Sequence, residues 1–121
     1  LCGIAGFTHR KHAAHPGRIQ EAVATLIHRG PNQQGVFESP VISLGAARLK
    51  IIDLHGGDQP IVDTPSGTVI AFNGEIYNHL ELRRELESRG RRFYSHSDTE
   101  TVLQAFLEWD TDCFSRMRGM F

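Results

Sequence analysis

Cys2-Gly3-Ile4-Ala5-Gly6-Phe7-Thr8 sets a short apolar run between glycines at the front of the chain. It is too short for a stable helix and reads as a buried strand. Working outward, residues 15–28 read as a helix, with Pro16 near its start, Ile19, Val23, Leu26 and Ile27 on one apolar face, and Gly30-Pro31 as the stop. Residues 36–39 and 42–49 suggest paired strands joined at Pro40, and residues 61–63 and 68–73 flank the hairpin signal Thr64-Pro65-Ser66-Gly67. Asn78 is the expected cap of a helix that carries Leu82 and Leu86 and ends at Gly90. Ser97-x-x-Glu100 reads as a capping box for a second helix, whose buried face would hold Val102, Leu103, Phe106 and Leu107. Strands and helices do not alternate regularly, which predicts an α+β fold of antiparallel strands with helices on their faces.

The 121 residues are about one domain's worth, with 40% hydrophobic and 22% charged residues, and no internal repeat or low-complexity tract is legible. Thirteen basic residues against fourteen acidic give a formal net charge of -1, so charge offers no reason to expect nucleic acid or an anionic membrane as partner. The longest apolar stretch, residues 41–52, is interrupted by Arg48 and Lys50 and does not read as a membrane span. No basic-then-apolar leader is legible. Two cysteines and no Asn-x-Ser/Thr acceptor argue against a secreted disulfide scaffold, and a reducing cytoplasm is the expected compartment.

Several residues invite chemistry. If the residue before Cys2 is removed, a free α-amine of pKa about 8 lies beside the thiol and can act as its general base. Otherwise Cys2 is a small hydrophobe at the start of a strand. Arg48 interrupts an apolar strand running from 44 to 52. A buried arginine needs an anion, and a carboxylate fits its planar fork; pairing with Asp53, or exposure to water, explains it equally well. Asn73-Gly74 reads as a turn after a strand, or as a side-chain amide and an unobstructed backbone N–H that together receive an oxyanion. Asp98, inside the Ser97 box, is at least a helix N-terminal charge worth about 0.3–1 kcal/mol. His9, His12 and His15 recur every three residues beside Arg10 and Lys11, without a carboxylate or thiol at ligand spacing, so a charged loop is expected and no metal site. His28, His55, His79 and His96 are isolated and carry no expected role.

Four separated motifs stand in order: Cys2-Gly-Ile-Ala-Gly-Phe7, His28-Arg-Gly-Pro31 with Gly35, Phe72-Asn-Gly-Glu-Ile-Tyr-Asn78 and Ser97-Asp-Thr-Glu100. Together they resemble the class II glutamine amidotransferases, which are N-terminal-nucleophile hydrolases. Ala47-Arg-Leu-Lys-Ile-Ile-Asp53 followed by Gln59-Pro60 is similar to the asparagine synthetase branch. The resemblance implies a four-layer αββα sandwich, here truncated on the C-terminal side, so that 1–121 would be the N-terminal part of a type 2 amidotransferase domain. It implies Cys2 as nucleophile, Asn73 and Gly74 as oxyanion donors, and Arg48 as the clamp for the α-carboxylate of glutamine, with Ile51 and Ile52 lining the same pocket. Asp98 would take the substrate's ammonium, with Glu75 nearby. Glutamine would yield glutamate and ammonia, the ammonia passing to a C-terminal ATP-dependent synthetase domain.

Neither a Ser-Gly-Gly-x-Asp-Ser loop nor a Walker-type loop is present, so no cofactor is expected here, and ATP and magnesium belong only to the missing synthetase domain. Leu1 stands where the family has a removable methionine, and Asn32-Gln33-Gln34 replaces a more usual acidic pair, a change expected to affect a loop more than the chemistry. Met117-Arg-Gly-Met-Phe121 reads as the lead-in to a further strand, which predicts weak or absent activity and self-association for the isolated fragment; a homo-oligomer stays open. The rival readings are a glutaminase half serving another acceptor and a degenerate, non-catalytic interaction domain.

Overall fold

The computed structural model describes residues 2–9 and 16–121; Leu1, His12 and His15 fall outside the described residues. The chain forms two compact units, one of Leu1–Lys50 with Asp58–Asn73 and one of Ile51–Gly57 with Gly74–Phe121. Helices and antiparallel strands make the fold α+β. No helix among the described residues is long and apolar enough to cross a membrane.

In the first unit β1 (Gly3–Thr8), β2 (Gln33–Glu38) and β3 (Ile42–Arg48) form an antiparallel sheet in the order β1-β3-β2. The register pairs Gly3 with Ala47 and Ala47 with Gln34. Side chains alternate between faces along each strand, so Gly3, Ala5, Phe7, Gly45 and Ala47 share one face. Helix α1 (Arg18–Ala24) covers that face: Ile19 and Val23 are buried, and Val23 and Leu26 lie where side chains on Gly45 and Gly3 would stand. The helix is shorter than residues 15–28. From Leu26 onward the backbone N–H groups reach back three residues, with Leu26 bonded to Val23, Arg29 to Leu26 and Gly30 to Ile27. That tighter winding turns the chain toward the end of β3, and Ile27, expected on the buried face, is exposed. Ser39 organises the β2–β3 connection, its hydroxyl accepting from the N–H groups of Val41 and Ile42. Strands β4 (Ile61–Asp63) and β5 (Thr68–Ile70) form the expected hairpin, with Gly67 at φ 72 in its turn. The second strand stops short of residue 73 because the N–H of Phe72 goes to the Gln59 side chain instead of a ladder.

In the second unit β6 (Glu75–Ile76) pairs with β7 (Gly119–Met120), so the segment read as the lead-in to a further strand is itself in part a strand. Helices α2 (His79–Ser88) and α3 (Asp98–Trp109) lead through a single 3-10 turn to α4 (Cys113–Arg116). Ile76, Leu82, Leu86, Val102, Leu103, Ala105, Cys113 and Met117 form the buried apolar set, while Phe106 and Leu107 are only half-buried. Two expected caps differ. Asn78 makes no side-chain cap to α2; its amide donates to the Arg116 carbonyl and accepts from the Arg118 N–H, tying down the approach to β7. Ser97 does cap α3, accepting from the Glu100 N–H at 3.3 Å. Glu100 does not reach back to Ser97. Its carboxylate accepts from the N–H groups of Tyr94 and Ser95 and from the Ser95 hydroxyl, which fixes the segment leading into Asp98.

Candidate active site

The sheet register of the first unit brings together residues far apart in sequence. Extending the Gly3–Ala47 pair by one residue sets Cys2 across from Arg48, and Arg48 in turn pairs with Gln33. All three project from the face opposite α1. Arg48 is the last residue of β3, not the middle of a strand continuing to 52. The Cys2 sulfur accepts the Leu49 N–H at 3.4 Å and faces the Leu49 carbonyl at 3.9 Å.

His28-Arg-Gly-Pro31 wraps the end of β3. A Cβ on Gly30 would overlap the Ala47 carbonyl and lie 2.5 Å from the Arg48 nitrogen, so backbone meets backbone here and only glycine fits. Arg29 donates to the Cys2 carbonyl at 3.0 Å, the Asn32 N–H to the Arg48 carbonyl at 3.1 Å, and the Asn32 side chain accepts from the Lys50 N–H at 3.0 Å. Asn32, Gln33 and Gln34 therefore do more than vary a loop. Gln33 and Gln34 belong to β2, and the Gln33 amide clamps Gln59 through two bonds: its Nε2 donates to the Gln59 carbonyl and its Oε1 accepts the Gln59 N–H. Gln59 is buried and follows a short approach over Gly35, whose Cβ would strike the Gln59 carbonyl. Its side-chain oxygen accepts the Phe72 N–H at 2.7 Å, which fixes the backbone just before Asn73. Asn73 is not in a hairpin turn. Its Oδ1 is buried and has no hydrogen-bond partner among the described residues.

Arg48 has a side chain only 5% exposed, and its Nη1 lies 3.2 Å from Asp58 Oδ1. The same oxygen is 2.9 Å from Lys50 Nζ. Asp58 is thus an anionic partner of Arg48 that the sequence did not suggest.

In the second unit Asp98, 7% exposed, opens α3 and accepts the Ile76 N–H on Oδ2 at 3.0 Å. The helix N-terminus stabilises that buried charge. The bond to Ile76 holds Asp98 to the strand that begins at Glu75, directly after Gly74. Glu75 and Ile51 are exposed and Ile52 is half-buried. Asp53 has the left-handed φ of 54, and its carboxylate accepts three backbone N–H bonds: from His96 on Oδ2, and from His55 and Gly56 on Oδ1. The His96 bond, the largest influence, lowers its pKa below the usual carboxylate value against an opposing desolvation. Asp53 thus ties the loop holding Ile51 and Ile52 to the segment that leads into Asp98.

The whole chain, residues 1–121, matches the glutamine amidotransferase domain family. The chain belongs to that family. This amidotransferase domain is 37% identical over 125 residues to asparagine synthetase (glutamine-hydrolyzing) 1 of Bacillus subtilis, all of the chain aligning with 20% of that protein. It is 38% identical over 123 residues to asparagine synthetase B (glutamine-hydrolyzing) of Escherichia coli and 36% identical to an Arabidopsis thaliana asparagine synthetase (glutamine-hydrolyzing), again over the full chain and about a fifth of each relative. The domain's cluster of Cys2, Arg48, Gln33 and Gln59 was only half legible beforehand. Gln59 had been noted solely as a mark of the branch, and Gln33, Asp58 and Asp53 as site-building residues were missed. The one local signal was a glutamine at an inward position of β2, two residues before Gly35. Among the histidines, His9 bonds the buried Ser43 hydroxyl at 2.9 Å, and among the described residues no group of three or more His, Cys, Asp or Glu is placed to hold a metal ion.

Proposed function

We propose that this amidotransferase domain hydrolyses glutamine to glutamate and ammonia as the glutaminase part of an asparagine synthetase-like enzyme, with a fold of the four-layer N-terminal-nucleophile hydrolase type. The observation that supports the reading is the sheet register, whose end pair Gly3–Ala47 brings the neighbouring positions Cys2 and the buried Arg48 to the same end of the sheet. The Cys2 thiolate attacks the side-chain carbonyl carbon of glutamine, and the carbonyl electrons move onto oxygen. Asn73 and the Gly74 N–H receive that oxyanion. Collapse of the tetrahedral intermediate expels ammonia, with a proton delivered by the base, and leaves a thioester; water then releases glutamate and restores the thiol. The α-amine of Cys2, freed by removal of Leu1, serves as that base.

Asn73 Oδ1 supports its assignment. A buried amide atom without a partner is costly unless a ligand completes it, and rotating the amide by half a turn presents Nδ2, a donor, at the same position. Arg48 holds the substrate carboxylate and Asp98 its ammonium, with Glu75, Ile51 and Ile52 assigned to the same recognition. Ammonia then passes to an ATP-dependent synthetase domain of the longer protein, where ATP and magnesium act.

The test is labelling by a diazoketone analogue of glutamine. The label is expected on Cys2, only in protein from which Leu1 has been removed, and hydrolysis is expected to rise about 10²-fold or more on that removal. A label on Cys113, or glutaminase activity surviving Cys2→Ala, overturns the mechanism; equal rates with and without Leu1 remove the α-amine as base.

A further inference from the structure

We infer that Asp58 is an internal competitor for Arg48, and that Lys50 is the second cation that keeps Asp58 when a substrate carboxylate takes its place. The inference rests on the assignment of Arg48 as carboxylate clamp.

One oxygen, Asp58 Oδ1, bridges the two cations at 3.2 Å from Arg48 Nη1 and 2.9 Å from Lys50 Nζ. The three partners differ in how firmly they are held. Arg48 ends β3, is in register with β2, and has a side chain 5% exposed. Lys50 has its N–H bonded to the Asn32 side chain and a side chain 20% exposed. Asp58 belongs to no helix or strand and its side chain is 58% exposed. The arrangement is two anchored cations and one movable anion.

Burying a guanidinium without a counter-charge is strongly unfavourable, and Asp58 contributes to that charge. An amino-acid carboxylate reaching the guanidinium brings a second negative charge to the same place, and like charges at that distance repel. If Asp58 had to return to water unpaired, the exchange would weaken binding further. Lys50, the nearer cation, lets Asp58 give up Arg48 while staying paired, so the exchange replaces one carboxylate by another on the guanidinium. A purely structural pair, in which Asp58 orients Arg48 for the substrate, makes the opposite prediction for the same substitution. The sign of the change separates the two.

The experiment is steady-state glutaminase kinetics on the complete natural protein. Asp58→Asn keeps the shape and removes the competing charge. It should lower KM for glutamine and the inhibition constant of glutamate by roughly two- to fivefold, the range of an exposed ion pair, and change kcat less. Lys50→Met leaves Asp58 to Arg48 alone and should raise KM by a similar factor. The double variant should behave as Asp58→Asn, because Lys50 acts through Asp58. Glutamine α-amide lacks the carboxylate, and its kcat/KM should not respond to Asp58→Asn. A KM for glutamine that rises or stays in Asp58→Asn, loss of the folded protein in that variant, or a Lys50→Met effect that persists without Asp58 each overturns the inference. Arg48→Ala separates this failure from failure of the clamp assignment. If it leaves KM for glutamine unchanged, the clamp itself falls; if it raises KM while Asp58→Asn does not lower it, only the competition falls.

Discussion

Replacing Gly30 by alanine adds one methyl group at a place where two backbones touch. The new Cβ would overlap the Ala47 carbonyl and sit 2.5 Å from the Arg48 nitrogen, where ordinary contact begins near 3.4 Å. Gly30 is not among the residues with positive φ, so alanine meets no conformational obstacle of its own and the effect is steric. The end of β3 must retreat by about an ångström or the turn at 28–31 must open. Overpacking of this kind costs about 1–3 kcal/mol. Both responses act on Arg48, whose carbonyl bonds the Asn32 N–H just past the same turn. Hydrogen exchange of peptides covering β3 should quicken about 5- to 150-fold, the opening that 1–3 kcal/mol corresponds to. KM for glutamine should rise together with it, since the proposed clamp has moved. Gly67→Ala is the control: it has a positive φ of 72 but open space around its Cβ, so it should lose stability in the β4–β5 hairpin without altering KM. Unchanged β3 exchange and unchanged KM in Gly30→Ala would refute the argument that close approach at Gly30 positions Arg48.

Cys113 is fully buried, and burial first, then the charge of Asp110, push its thiol pKa up; iodoacetamide at neutral pH should alkylate Cys2 and spare Cys113 until the protein unfolds, as peptide mapping would show. Asn73→Ala should lower kcat by the loss of about 2.7–4 kcal/mol of transition-state stabilisation with little change in KM, whereas Asp98→Asn should act mainly on KM for glutamine. Asp53 has a folded pKa below its ordinary 3.8, so its three N–H bonds stabilise the fold above that value and are lost as pH falls through the lowered one. Asp53→Asn should therefore flatten the acid limb of a denaturation profile below about pH 4, and a limb identical to the parent's would remove Asp53 from the account.

The sequence made local structure legible wherever the signal was itself local. Gly-flanked apolar residues marked β1, the Thr64-Pro65-Ser66-Gly67 run marked a hairpin, and the Ser97 cap placed the start of α3. What it could not give was anything set by register. Cys2 and Arg48 are 46 positions apart, and only the pairing of β1 with β3 makes them neighbours. The pairing of Arg48 with Asp58 escaped the sequence for a related reason: ten positions separate them, and the intervening stretch, residues 51–57, belongs to the other unit. Glu100 illustrates a different loss. Its spacing from Ser97 fits a capping box, yet three donors at Tyr94 and Ser95 compete for the carboxylate and hold it. Spacing reports what a side chain can reach, not which of several reachable donors wins.

In the role proposed for Arg48, a clamp for the carboxylate of a free amino acid, the side chain must be charged although buried, and must not drift. In this domain those two requirements are met by different parts of the chain. Position comes from backbone: β2 fixes Arg48 in register, Gly30 permits the closest approach of the turn, and the Asn32 N–H holds the Arg48 carbonyl. Charge balance comes from side chains that reach Arg48 from outside the sheet, Asp58 directly and Lys50 through it. The sulfur of Cys2 accepts from the Leu49 N–H and its carbonyl from Arg29, so side-chain changes at Lys50 or Asp58 can alter how tightly glutamine is held while those partners of Cys2 remain. The effects of substitution should divide accordingly, with KM following the ion pairs and kcat following Cys2 and Asn73. Such a division arises if the site is built as two independently supported halves on one sheet edge, and would be absent if a single network carried both.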